Sequence, residues 1–386
     1  MQTLTRSVLA MAALATATFA GAQQAPLKVG LMLPYSGTYA ALGHAIENGF
    51  KLYVQESGGK LGGREIQYFK VDDESEPAKA TDNVNKLIKR DQVDVLVGSV
   101  HSGVALAMAR AAKESNTLLI VPNAGADAVT GPLCAANIFR SSFSNWQPGY
   151  ASGVVAAQKG HKRAMTISWN YAAGTESVKG FTEGFEKGGG KVMKELSLPF
   201  PNVEFQALLT EIAAQKPDVV FAFFAGGGAV KFVKDYDAAG LRKTVPLMGS
   251  GFLTDGTLEA QGSAAQGVMT ALHYADNLET PRNNGFRKNY ALAYKANADV
   301  YAVQGYDAAQ MLGAGLSAVK GDFKQRDALV KAMATTTIDS PRGKFTLNAA
   351  HNPVQDFYLR EVVGKNNESK GIAVKALADP ARGCKL

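Results

Sequence analysis

Two stretches of this chain share one design, and that design restricts the fold more than any other feature. Val93-Asp-Val-Leu-Val-Gly-Ser99 runs into Val100-His-Ser-Gly103 and a helix-patterned stretch, and Asp218-Val-Val-Phe-Ala-Phe-Phe224 runs into Ala225-Gly-Gly-Gly228 and another. A short, nearly all-apolar run ending in small residues is the pattern of a strand buried on both faces. Its carboxyl end then opens onto a helix N-terminus, where unpaired N–H groups and the positive end of the helix dipole attract a ligand. Two such junctions predict two similar lobes facing one cleft.

Around both junctions strands and helices alternate in a βαβ rhythm. Strands are expected at 27–33, 66–71, 93–99 and 117–121, with helices at 43–57, at 76–90 (with Pro77 in the first turn) and at 104–115. After Ile138-Phe-Arg140 the rhythm restarts, with helices at 147–158, 175–187, 203–214 and 229–239 and strands at 164–169, 191–198, 218–224, 245–248 and 268–272. Helices at 282–296, 301–319 and 324–334 lack intervening strands and are expected to cover the first lobe. Strands near 344–347 and 355–363 are expected to return to the second.

Residues 1–22 carry Arg6, an apolar run over 8–19 and Ala20-Gly-Ala22, the three regions of a secretory signal peptide. No later run approaches the ~20 apolar residues of a membrane helix, so an exported, soluble protein is expected. With 386 residues the chain exceeds what one core usually serves, and two domains are expected. The net charge of +7 comes from scattered Lys and Arg rather than a basic stripe, which argues against nucleic-acid binding. The only cysteines, Cys134 and Cys384, are expected to pair in an oxidising compartment, two unpaired buried thiols being the other reading.

Signs of catalysis are missing. Leu33-Pro-Tyr-Ser-Gly37 stands where a dinucleotide fold would place G-x-G-x-x-G, and neither a P-loop nor a G-x-S-x-G elbow occurs. The five His are scattered, and no Cys/His spacing fits a metal site. No enzyme, cofactor or metal is expected. Gly226-Gly-Gly228 is read as a place of close backbone approach to ligand or partner lobe.

Leu33-Pro-Tyr-Ser-Gly-Thr38, Asp72-Asp73 with Glu76-Pro-Ala-Lys-Ala80, Val97-Gly-Ser-Val-His-Ser102, Val121-Pro-Asn-Ala124 and Ile138-Phe-Arg-Ser-Ser142 follow one another in the order of the leucine/isoleucine/valine-binding family of periplasmic receptors, which the chain resembles over its whole mature length. The resemblance implies a type I periplasmic binding protein, an α/β fold of two Rossmann-like lobes with three crossovers. It implies a hinge that closes on a small solute, and an ABC permease in the inner membrane as partner. The expected division is 23–142 plus 275–350 for the N-terminal lobe and 143–274 plus 351–386 for the C-terminal lobe. A monomer is expected, and a sensory role through a separate receptor stays open.

In that family the segment matching Ser99 to Gly103 sets a hydroxyl, here Ser102, and backbone N–H groups on the ligand carboxylate, and the segment Asn123, Ala124 and Gly125 adds contacts. Taken alone, Ser102 reads as an ordinary helix N-cap. Amino-acid receptors commonly carry an acid in the block matching Met248-Gly-Ser-Gly251-Phe252, but here no carboxylate occurs before Asp255. A buried ammonium without a counter-charge costs several kcal/mol. Tyr35, Tyr39, Phe143, Trp146, Trp169, Tyr171 and Phe252 crowd the predicted strand ends. Each alone reads equally well as core, but as a set they favour a planar, apolar acid. His101 is either a donor to that acid or packing. The ligand expected is an aromatic carboxylate of benzoate or phenylpropenoate type, as in a subgroup with a similar Trp/Phe-rich loop and Cys-containing tail. The alternative is a branched-chain or other apolar amino acid, with Asp255 or Glu176 taking the ammonium.

Overall fold

The computed structural model describes residues 24–386, so the expected signal peptide lies outside the described residues. Leu27–Leu33 is an apolar run with almost every residue buried, and it pairs in parallel with Arg64–Asp72 on one side and Val95–Gly98 on the other. Leu118–Val121 and Ile138–Arg140 extend that sheet, and Lys60–Leu61 closes the far edge antiparallel. In the second sheet Arg163–Trp169 lies between Lys191–Leu198 and Val219–Phe223, followed by Leu247–Ser250 and Met269–Leu272. The five parallel strands of each sheet thus have the same spatial order, with the first strand of each set second in line. Each order reverses beside that strand, leaving a crevice at the carboxyl ends.

The chain crosses between the sheets three times, after Ile138–Arg140, after Met269–Leu272 and after the helix Arg326–Thr335. Helices Pro281–Tyr294 and Val300–Ala318 return to the first lobe, where Val300–Ala318 lies against Ala40–Glu56. Their backbones touch. A Cβ on Gly49 would stand 1.9 Å from the Ala302 carbonyl oxygen, and one on Gly305 1.9 Å from that of Ile46.

Most elements lie within a few residues of their expected bounds, and the differences have local causes. Helix Pro77–Asn85 ends in a π turn over Lys86–Arg90. Helices Ser102–Ser115, Ala172–Lys187 and Gly226–Ala238 begin two or three residues early, because small residues start them without an apolar signal. Strand Asn366–Leu377 was not expected. It is a largely exposed hairpin partner of Pro353–Val363, and its polar, Gly-containing sequence hides the alternation of a half-buried strand.

Ile338–Ser340 and Gly343–Leu347 hydrogen-bond into the second sheet while packing against Val300–Ala318 and Arg326–Thr335 of the first lobe. This segment, assigned above to the N-terminal lobe up to residue 350, is therefore shared. The strand near 344–347 joins the second sheet as its pattern predicts, and the short strand Ile338–Ser340 beside it has no signal of its own. Cys134 and Cys384 form the expected disulfide, with Cα atoms 5.6 Å apart.

Candidate functional site

The crevices of the two sheets face each other across a small cavity of about 20 Å³. On the first lobe, the loop after Val95–Gly98 is pinned by Ser99, whose hydroxyl donates to Asp73 Oδ2 at 2.5 Å. Burial pushes the Asp73 carboxyl up to about 6. His101, in extended conformation, is the N-cap of Ser102–Ser115, and its Nδ1 accepts the Gly103 N–H at 3.1 Å. Neutral imidazole with Nδ1 accepting carries its proton on Nε2, and burial pushes the ring's pKa down to about 4. Since His101 caps the helix, Ser102 is left as its first residue, fully buried and lining the cavity.

Ser102, Asn123, Gly125 and Asn145 make one polar wall. Asn145 Nδ2 donates to Ser102 Oγ at 3.2 Å, and the Asn145 N–H donates to the Gly125 carbonyl at 2.7 Å. Asn123 Nδ2 donates to Gln304 Oε1 at 2.7 Å, which fixes its amide from behind. Apart from three tyrosines, the remaining walls are apolar. Val100 and Phe143 stand on one side, and Ala173, Phe223, Ala225 and Phe252 belong to the second lobe. Phe143 and Phe252 lie with ring centroids 4.7 Å apart, tilted by 36°.

Two tyrosines latch the lobes. Tyr39 Oη and Tyr171 Oη are 2.9 Å apart across the cleft. Tyr301 also lines the cavity, and its buried hydroxyl has no protein partner. Beside this latch, Gly226 opens the helix Gly226–Ala238 at φ +55°, with a would-be Cβ 2.3 Å from the Thr38 carbonyl oxygen of the other lobe. Gly226 therefore serves close approach to the partner lobe, whereas Gly228 makes room for Trp169 of its own lobe.

No charged side chain lines the cavity. Asp255, one expected ammonium partner, is buried and paired with Arg360 at 2.6 Å. Glu176, the other, accepts from Asn145 Nδ2 at 2.8 Å and from the Asp127 N–H at 3.0 Å, behind the polar wall. Among the described residues no group of three or more His, Cys, Asp or Glu is placed to hold a metal ion. No helix among them is long and apolar enough to cross a membrane.

Of the residues expected at the site, the structure brings Tyr39, Ser102, Asn123, Gly125, Phe143, Tyr171 and Phe252 to the cavity. The others stand elsewhere. His101 backs the wall, its ring stacked on Tyr171 at 4.6 Å, so packing and capping occupy it. Tyr35 packs beside His44 with its hydroxyl buried away from the cavity, and Lys70 Nζ lies 4.4 Å from its ring. Trp169 fills second-lobe core against Phe200 and Phe224, its Nε1 donating to the Asn202 carbonyl at 2.8 Å. Trp146 stacks on Tyr150 and donates to Glu183 Oε2 at 2.7 Å. The Ala124 and Gly251 carbonyls accept from the buried guanidinium groups of Arg140 and Arg360. Asn145, Val100, Ala173, Phe223, Ala225 and Tyr301 were missed. Asn145 sits in the loop already singled out, between Phe143 and Trp146, whereas nothing local marks Tyr301.

A family model described as periplasmic binding protein matches residues 26–368. A Leu/Ile/Val-binding protein homolog of Brucella melitensis is 28% identical over 343 residues, covering 87% of each chain. Among solved structures, the solute-binding protein of an ABC transporter from R. palustris, in complex with benzoate, is 55% identical with a TM-score of 0.92, covering 94% of this chain and 100% of that one. Another, from Rhodopseudomonas palustris BisB5 in complex with 3,4-dihydroxybenzoic acid, is 31% identical with a TM-score of 0.87, covering 92% and 99%.

Proposed function

The chain belongs to the periplasmic binding protein family, and from that premise we propose that it is the solute-binding component of an ABC importer, taking a small aromatic carboxylate of the benzoate type between its lobes. The observation that carries this reading is a small enclosed cavity with a polar wall, aromatic sides and no charged side chain. A carboxylate suits the Ser102 hydroxyl at the start of the helix Ser102–Ser115, because a helix N-terminus favours an anion without a buried Lys or Arg. A planar ring suits the space between Phe143, Phe223 and Phe252. The related solute-binding proteins named above hold benzoate and dihydroxybenzoate, in keeping with this.

An amino acid fits less well, since Asp255 is neutralised by Arg360 and the ammonium would be buried unpaired. Export through residues 1–22, residence in the periplasm as a monomer and absence of catalysis belong to the same reading. The test is calorimetric titration of the mature protein with benzoate, hydroxybenzoates, a phenylpropenoate and leucine. Tight binding of the single-ring acids and none of leucine is expected. Leucine binding with benzoate inert would overturn the assignment.

A further inference from the structure

We propose that Asp127 of the first lobe and Glu176 of the second form a proton-binding site shared across the cleft, so that closing on a ligand takes up a proton. The two acids meet only where the lobes meet. Asp127 lies in the first-lobe loop that leads to Cys134, and its N–H donates to Glu176 Oε2 on the helix Ala172–Lys187. Asn145 Nδ2 donates to that same oxygen and also to Ser102 Oγ, so one amide separates this carboxyl from the cavity's polar wall. Asp127 Oδ1 accepts the Trp146 N–H at 3.1 Å.

Positive charge nearby is scarce. Arg140 is fully buried, donates to the Ala124 and Ala126 carbonyls and to Thr130 Oγ1, and makes no salt bridge among the described residues. Asp379 on the C-terminal tail adds a third carboxylate to the field around Arg140. Arg382 on the same tail is taken by Glu183, and Lys113 on the helix Ser102–Ser115 by the Cys134 carbonyl. Three carboxylates therefore face one guanidinium, and a bound ligand carboxylate would add a fourth. Burial raises both Asp127 and Glu176 above their ordinary values, with repulsion from Glu176 adding to the rise at Asp127 and repulsion from Asp379 to that at Glu176. Two like charges held together in a water-poor site favour one shared proton, whereas an open cleft separates and rehydrates them.

The closed state then holds the proton more tightly than the open one, so affinity rises as pH falls. This inference rests on the hinge-closing reading above. Benzoate titrated calorimetrically in phosphate and in Tris at pH 7 should show uptake of roughly 0.5–1 proton per ligand, with affinity rising about three- to tenfold per unit from pH 8 to 6. Glu176→Gln and Asp127→Asn should abolish both the uptake and the slope. Glu186→Gln, exposed on the same helix, should retain them. Benzoate binding without proton uptake, or an unchanged slope in both variants, overturns the proposal. If benzoate gives no heat, the ligand reading fails separately. The scattering radius of the unliganded protein must then still shrink from pH 8 to 5 in the wild type and not in Glu176→Gln, and a pH-independent radius overturns the shared proton site.

Discussion

Ser102 is free for a ligand because His101 does the capping, and the two neighbours make opposite predictions. Ser102→Ala should weaken benzoate about 10- to 100-fold, the ~1.5–3 kcal/mol of a hydrogen bond to a charged group, with little change in melting temperature. Titration calorimetry beside a thermal melt checks it. His101 titrates in the folded protein near 4, against 6.5 when free, so the native state binds fewer protons between those values. Its contribution is therefore complete above pH 6.5 and lost as pH falls through 4. The buried Asp73 carboxyl, raised to about 6, acts in the opposite sense, losing its contribution as pH rises from 3.8 through 6. The quantity to measure is thus the melting difference between wild type and His101→Asn. That difference should narrow by up to about 3 kcal/mol from pH 7 to 4. Residue types after buried strands, read through the family resemblance, located the polar wall of Ser102, Asn123 and Gly125, where Ser102 alone reads as an ordinary N-cap. They could not separate Tyr171, which reaches the cavity, from Trp169, which fills core two positions earlier. That choice depends on Phe200, Asn202 and Gly228, which only the fold assembles.

Glycines at element scale distinguish folding from closing. Gly305 and Gly226 would both place a Cβ against a backbone carbonyl oxygen, at 1.9 and 2.3 Å. Gly305 meets Ile46 within the first lobe, so Gly305→Ala should lower the melting point of the unliganded protein. Gly226 meets Thr38 only where the lobes touch. Gly226→Ala should cost the unliganded protein about 1 kcal/mol for its positive φ and weaken benzoate at least about tenfold by obstructing closure. Equal loss of melting temperature in both variants would contradict this division. Strands such as Leu27–Leu33 were legible because burial on both faces leaves an uninterrupted apolar run. Asn366–Leu377 was illegible because its exposed edge places no such demand on the sequence. Tyr301 shows the same limit from the other side. It enters the site on Val300–Ala318, delivered by the second crossing, and no spacing along the chain announces that.

At the scale of the whole molecule, three crossings leave the lobes free to hinge, and the disulfide adds a fourth connection. Cys384 lies on a tail docked to the second lobe through Arg382 and Glu183, and Cys134 lies in a loop of the first. Reduction should lower unfolding stability by about 2–4 kcal/mol, measurable by denaturant titration with and without reductant. The bridge has another consequence. It makes residues 134 to 384 a closed covalent ring, with the first strands hanging from it as a branch. A protease that nicks the backbone once anywhere inside that ring opens it without releasing a fragment, so clipped molecules should migrate as one species on a denaturing gel until reductant is added.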